Sequence, residues 1–134
     1  MSNLKAKEYK SFEEIKHLSK DGNEFWYARE LAVVLEYIQW RNFIKVVERA
    51  MLACKNSGYE LIDHFAEVSK TIDMPKTATK QIADFKLTRY ACYLIVQNGD
   101  TRKKVISYGQ TYFAIQTRPI KRLKKSSRKL MLDE

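Results

Sequence analysis

Trp40-Arg-Asn-Phe-Ile-Lys-Val-Val-Glu-Arg-Ala-Met-Leu-Ala-Cys-Lys55 is the stretch whose reading decides the fold. Its residues Trp40, Phe43, Ile44, Val47, Ala50, Met51 and Cys54 fall at i, i+3, i+4, i+7, i+10, i+11 and i+14, the stripe of a helix that buries one face. Arg41, Lys45, Glu48, Arg49 and Lys55 take the other face, and Ser57-Gly58 supplies a C-terminal stop. Upstream, Ala28, Leu31, Ala32 and Leu35 lie on one face of a helix over residues 28–36. Residues 36–39 therefore join two helices into a short helix-turn-helix-like pair.

Outside this pair the period changes. Asp21-Gly22-Asn23 is a turn signal between Leu18 and the aromatic run Glu24-Phe25-Trp26-Tyr27, which predicts a β-hairpin. Phe65, Val68 and Ile72 fit a helix or a strand equally, and Pro75 with Thr77 and Thr79 marks a loop. Ile82, Asp84 and Lys86 alternate with Ala83, Phe85 and Leu87, the period of a strand. Residues 88–97 return to helix with Thr88 as N-cap. Asn98-Gly99-Asp100 breaks the chain, and a last body helix carries Val105, Ile106, Gly109, Tyr112, Phe113 and Gln116 on one side. The expectation is an α+β domain with a β-hairpin, a small sheet and about four to five helices over residues 1–118. A basic tail over residues 119–134 follows, helical along the seam Ile120, Leu123, Ser127, Leu130 and Met131.

A chain of 134 residues suits one domain and a sizeable core without staples. No apolar run is long enough for a membrane span, and the start has no secretory h-region. Cys54 and Cys92 are too few for a disulfide framework and match no zinc or redox spacing, so they read as reduced, buried thiols of a cytoplasmic protein. His17 and His64 are the only histidines. Asp63-His64 is not a dyad by itself, because neighbours on one element point apart, and reads as a capping acid beside a packing or surface histidine. No nucleophile, metal or phosphate-loop motif is present. No enzyme activity, metal or cofactor is therefore expected.

Charge is the functional signal. The net charge is +9, of which residues 118–134 carry +5, seven cations against two acids. Such a balance points to a polyanionic partner. The candidate nucleic-acid contacts are Arg41, Lys45 and Arg49 on one helix face and Arg102, Lys103 and Lys104 at the first turn of the last body helix. The tail adds Lys121, Arg122, Lys124, Lys125, Arg128 and Lys129. Lys70, Lys76 and Lys80 flank the Pro75 loop as a candidate wing. Tyr90, Tyr93, Tyr112 and Phe113 sit at core spacing, whereas Tyr37 and Tyr108 lie off the apolar stripes and are expected to be exposed. Arg29 and Arg89 open helices, where a cation opposes the dipole. Arg89 is expected to pack against an acid.

Several of these landmarks resemble a known family. Phe12-Glu13-Glu14-Ile15, Trp26-Tyr27-Ala28-Arg29-Glu30-Leu31, Leu35-Glu36-Tyr37 and Trp40-Arg41-Asn42-Phe43 resemble the start of a BRO N-terminal domain. The runs from Leu87 to Asp100 and from Gly109 to Arg118 resemble its bacterial, DNA-damage-inducible branch, whose members run well beyond this length. The resemblance covers roughly residues 11–118. It implies a compact α+β unit that binds DNA, in phage antirepressors and baculovirus proteins among others. For the bacterial branch it implies a link to the SOS response and to the RecA recombinase as a partner. The competing reading is a protein-interaction module, docking on that recombinase or on a second copy as a homodimer through exposed rings and the tail seam. That seam lacks Trp and Phe, so no membrane partner is expected.

Overall fold

The computed structural model describes residues 11–117. A short helix α1 (residues 11–14) leads into β1 (His17–Leu18) and β2 (Glu24–Tyr27). These are followed by α2 (Ala28–Val34), α3 (Trp40–Asn56) and the single turn α4 (Leu61–His64). Next come β3 (Phe65–Asp73), a 3-10 turn at Pro75–Thr77 and β4 (Thr79–Leu87), and then α5 (Arg89–Gln97) and α6 (Lys104–Thr117). The four strands form one sheet in the order β1-β2-β4-β3, every neighbouring pair antiparallel. The fold is α+β, as the sequence predicts.

The first hairpin closes at the expected turn. His17 pairs with Phe25 and Leu18 with Glu24, and Gly22 takes φ +85°, a conformation open to glycine. Its first arm is only two residues long, because Phe12 belongs to α1 and turns into the core. The ambiguity over residues 65–73 resolves as strand. A cross-strand register running from Phe65↔Leu87 to Asp73↔Thr79 supplies hydrogen bonds that periodicity alone could not foresee. Nine residues per arm make this hairpin about 30 Å long. Only its root, at Phe65, Phe85 and Leu87, enters the core, and most of the remainder is exposed.

The core sits between the inner face of the sheet and the helices. Trp26, Phe12, Phe43, Phe113, Leu31, Leu35, Leu87, Ile95 and Ile106 are fully buried. The Trp26 indole donates to the Phe12 carbonyl at 3.0 Å, so the largest buried side chain has a partner for its one polar group. Phe113 stands edge-on to both Trp26 and Phe12, with ring centres 5.2 and 5.3 Å away. Gly109 lets α6 lie close on α5: a Cβ there would come within 3.0 Å of Val96 and 3.1 Å of Phe12. Thr88 caps α5 by accepting from the Ala91 amide at 3.2 Å, and Cys54 and Cys92 are buried and unpaired.

Three expectations need correction. α6 begins at Lys104, so Arg102 and Lys103 precede the helix. Asp100 holds them in a turn by accepting from the Arg102 amide at 3.0 Å. Asp63 does not cap α4, whose N-cap is Glu60. Tyr37 and Tyr108 are half-buried and not open rings. The proposed tail helix lies outside the described residues.

His64 shares a 2.6 Å hydrogen bond with the Thr88 hydroxyl and packs against Tyr59 and Tyr90. Burial holds its pKa below the usual histidine value, against the pull of Asp63. The unfolded chain therefore takes up this proton first. Stability should be full above about pH 6.5 and fall as the pH drops through the lowered value. Denaturant midpoints between pH 5 and 8 should show that fall, and His64→Asn should flatten it. Phe113→Ala should cost about 3–5 kcal/mol at constant m-value, read from the same denaturation curves.

Candidate nucleic-acid interface

The α2–α3 pair is held by its turn. The Leu35 amide bonds back to Leu31 O at 2.9 Å, Glu36 takes φ +65°, and the Tyr37 amide reaches Ala32 O at 2.9 Å. The Tyr37 ring then leans on Phe43, 5.2 Å between centres. α3 leaves this turn with Phe43, Val46, Val47, Ala50 and Cys54 buried, so its opposite face must meet solvent. Arg41, Lys45 and Arg49 stand on that face as the spacing predicts. Arg41 and Lys45 make no ion pair or side-chain hydrogen bond with the described residues.

The second basic set is brought alongside. Lys103 Nζ donates to Glu36 O at 3.0 Å and lies 3.9 Å from the Tyr37 ring centre. Arg49 Nη2 donates to Asn98 O at 3.3 Å. These two contacts lay residues 98–103 along the α2–α3 turn and α3, so sets more than fifty positions apart share one side of the molecule. Their charges are not equally free. Arg102 forms a fork with the Asp100 carboxylate, Nη2 to Oδ2 at 2.9 Å, which lowers the acid's pKa and raises that of the arginine. Lys104 is exposed without a partner among the described residues.

The β3–β4 hairpin, with the lysines around Pro75 at and near its tip, stands across a groove from α3. Lys76 and Lys80 are exposed near its tip. Lys70 is not free: its Nζ lies 3.5 Å from Asp84 Oδ2 and 4.1 Å from the Tyr27 ring centre. A groove of about 550 Å³ separates α3 from the hairpin, walled by Trp40 and Ile44 on one side and by Glu67, Ser69, Ala83 and Phe85 on the other. Arg29 borders it. Its guanidinium stacks 3.9 Å from the Trp40 ring centre, and its Nε donates to Ala83 O at 2.8 Å. Arg29 thus joins α2, α3 and the hairpin, a fixed packing role. The six tail candidates, Lys121 to Lys129, lie outside the described residues.

Arg89 packs against an acid as expected. It forms a two-pronged ion pair with Glu24, one prong Nη2 to Oε1 at 2.6 Å, beneath the Trp26 ring at 4.9 Å. Burial works against its charge, but Glu24 together with Tyr112 outweighs burial and the pKa rises. Tyr112 donates to Glu13, which lowers the Glu13 pKa. Among the described residues no group of three metal-ligating side chains forms and no helix is long and apolar enough to cross a membrane. One cluster escaped the sequence reading: His17, Phe25 and Tyr27 gather on the outer face of the sheet with Lys70 and Lys86 over two of the rings. The available signal was the strand period, which sends Phe25 and Tyr27 to the side opposite Trp26.

A basic α+β domain, with a helix-turn-helix-like pair flanked by a β-hairpin, is what fold and surface define. The model of the BRO family, N-terminal domain, matches residues 14–114, and the chain belongs to that family. It is 50% identical over 110 residues to the DNA damage-inducible protein D of Escherichia coli K12, across 82% of this chain and 40% of that protein. The chain thus spans under half the length of this relative. No solved structure matches it.

The Arg89–Glu24 pair should behave as a structural joint between β2 and α5. Glu24→Gln should cost about 1.5–3 kcal/mol, the scale of a hydrogen bond to a charged group, measured by urea unfolding at pH 7.

Proposed function

We propose that this domain is a non-enzymatic DNA-binding module of the DNA-damage response that grips phosphates with the outward face of α3 and the 98–104 segment beside it. The observation that carries this reading is the placement of Arg41 and Lys45. They stand exposed on a rigid helix and form no ion pair with the described residues, next to a second basic segment tethered by Lys103 and Arg49. Cations without internal partners release counterions when they meet phosphates, and that release drives association. The hairpin lysines Lys76 and Lys80, and the tail cations beyond residue 118, extend the same field. The family match and the name of the relative support the setting. A phage antirepressor-type role would use the same surface.

A second reading has its own observation. Leu52, Tyr59 and Ile62 are exposed around the α3–α4 junction, an apolar group suited to a protein partner. The RecA recombinase implied by the family resemblance, or a second copy of this chain, would be the partner.

Fluorescence anisotropy with labelled duplex DNA between about 50 and 200 mM salt tests the first reading. About five neutralised phosphates predict a slope of log K against log salt near −4.5. The R41E/K45E variant should weaken binding at every salt concentration and flatten the slope by about 2. Binding that ignores salt, or an unchanged slope in the variant, would remove α3 from the interface.

A further inference from the structure

The outer face of the sheet is the strongest unassigned surface. On β2, Trp26 points into the core, so Phe25 and Tyr27 point the other way. Tyr27 pairs with Lys86, and Val68 with Asp84, which places Lys86, Asp84, Val68 and Lys70 on that outer face too. His17 stacks on Phe25 with centres 5.4 Å apart and meets Tyr27 edge-on at 4.9 Å. Phe25 and Tyr27 meet edge-on at 5.3 Å. All three rings are half-buried. What stands over two of them is not apolar: Lys86 Nζ is 4.9 Å from the Phe25 centre and Lys70 Nζ 4.1 Å from the Tyr27 centre.

Cross-strand ring packing alone would explain the cluster, since such pairs stabilise sheets. It does not explain ammonium groups on the ring faces. An exposed cation–π contact contributes only about 0.5–1 kcal/mol, so the Lys86 head is easily displaced from Phe25, whereas Lys70 is also held by Asp84. A nucleobase stacked on an aromatic side chain contributes about 1–3 kcal/mol. The displaced Lys86 ammonium would then reach a phosphate beside that base. Lys86 is exposed and has no acidic partner among the described residues, so its charge is available. Duplex bases are stacked on one another and hide their faces. An open sheet face bearing rings and lysines is complementary to an unpaired strand.

We propose that this face is a stacking platform for the unpaired bases of a single-stranded nucleic acid, with Phe25, Tyr27 and His17 as the rings and Lys86 at a flanking phosphate, while Lys70 stays with Asp84. The proposal rests on the reading of this domain as a DNA binder and adds a second surface. α3 packs on the inner side of the sheet, where Trp40 and Ile44 face Phe85 and Glu67. The platform occupies the outer side.

Anisotropy titrations of the full chain with labelled oligothymidine, the same oligomer without bases, and a labelled duplex test it. Tyr27→Leu keeps an apolar residue but removes the ring, and should weaken oligothymidine binding about 5-fold or more. Tyr27→Phe should restore binding, and Lys86→Glu should weaken it. Duplex binding by these variants should stay at the wild-type level. The base-free oligomer should bind the wild-type chain more weakly than oligothymidine does. Circular dichroism checks folding, and if Tyr27→Leu does not fold, Lys86→Glu and the base-free oligomer decide. Equal binding of oligothymidine by the folded variants, equal binding of the base-free oligomer, or no oligothymidine binding by the wild type would each overturn the platform. Loss of duplex binding in R41E/K45E with oligothymidine binding intact separates the two surfaces. Duplex binding that R41E/K45E leaves unchanged, alongside a Tyr27-dependent single-strand signal, would overturn the α3 reading alone.

Discussion

One buried carboxylate stands where a strand leaves the sheet. β2 pairs with β4 only as far as Tyr27↔Lys86, and the chain then turns into α2. Beyond that point β4 keeps β3 on one side but has no strand neighbour on the other. Asp84 fills the role: its Oδ1 accepts from the Arg29 amide at 3.0 Å and from the Phe85 amide at 2.8 Å. The residue is 1% exposed, and its other oxygen has no hydrogen bond but lies 3.5 Å from Lys70 Nζ. Removing one member of such a pair leaves an uncompensated buried charge, which commonly costs about 3–5 kcal/mol. Asp84 therefore fixes where α2 begins relative to the long hairpin, and with it the placement of α3.

Arg29 carries that constraint onward. With its amide on Asp84 and its guanidinium between Ala83 O and the Trp40 ring, it locks the first turn of α2 to the first turn of α3 and to the hairpin. A cation at a helix N-terminus opposes the dipole. Here the unfavourable position is offset by a stacked ring and a carbonyl, the pairing of contacts for which a planar guanidinium is suited. Trp40 and Ala83, which Arg29 bridges, both line the groove between α3 and the hairpin.

The charge of +9 divides into cations that build the domain and cations that face outward. Arg29, Arg89, Lys70, Lys103 and Arg102 have internal partners, and Arg49 is anchored to a carbonyl. Arg41, Lys45, Lys76, Lys80, Lys86 and Lys104 have no acidic partner among the described residues. Net charge alone could not make this division, because it depends on which acids and carbonyls the fold brings within reach. The outward cations fall into separate groups, with Arg41 and Lys45 on α3 and Lys86 on the outer face of the sheet.

Much of the fold was legible from local physics. A stripe with a 3.6-residue period needs no partner to be recognised, so α3 was readable almost to the residue, as were the Gly22 turn, the Thr88 cap and the basic face of α3. The family resemblance was legible in the same landmarks. β3 was not, because Phe65, Val68 and Ile72 satisfy two periods until β4 supplies a register. Nor was the start of α6, which the Asp100 turn delays. The site divides the same way. Exposure of Arg41 and Lys45 followed from helix geometry, but the meeting of residues 98–103 with α3 and the gathering of His17, Phe25, Tyr27, Lys70 and Lys86 did not. Periodicity assigns a residue to a face, while contacts between distant segments exist only once strand pairing and burial have set the elements against one another.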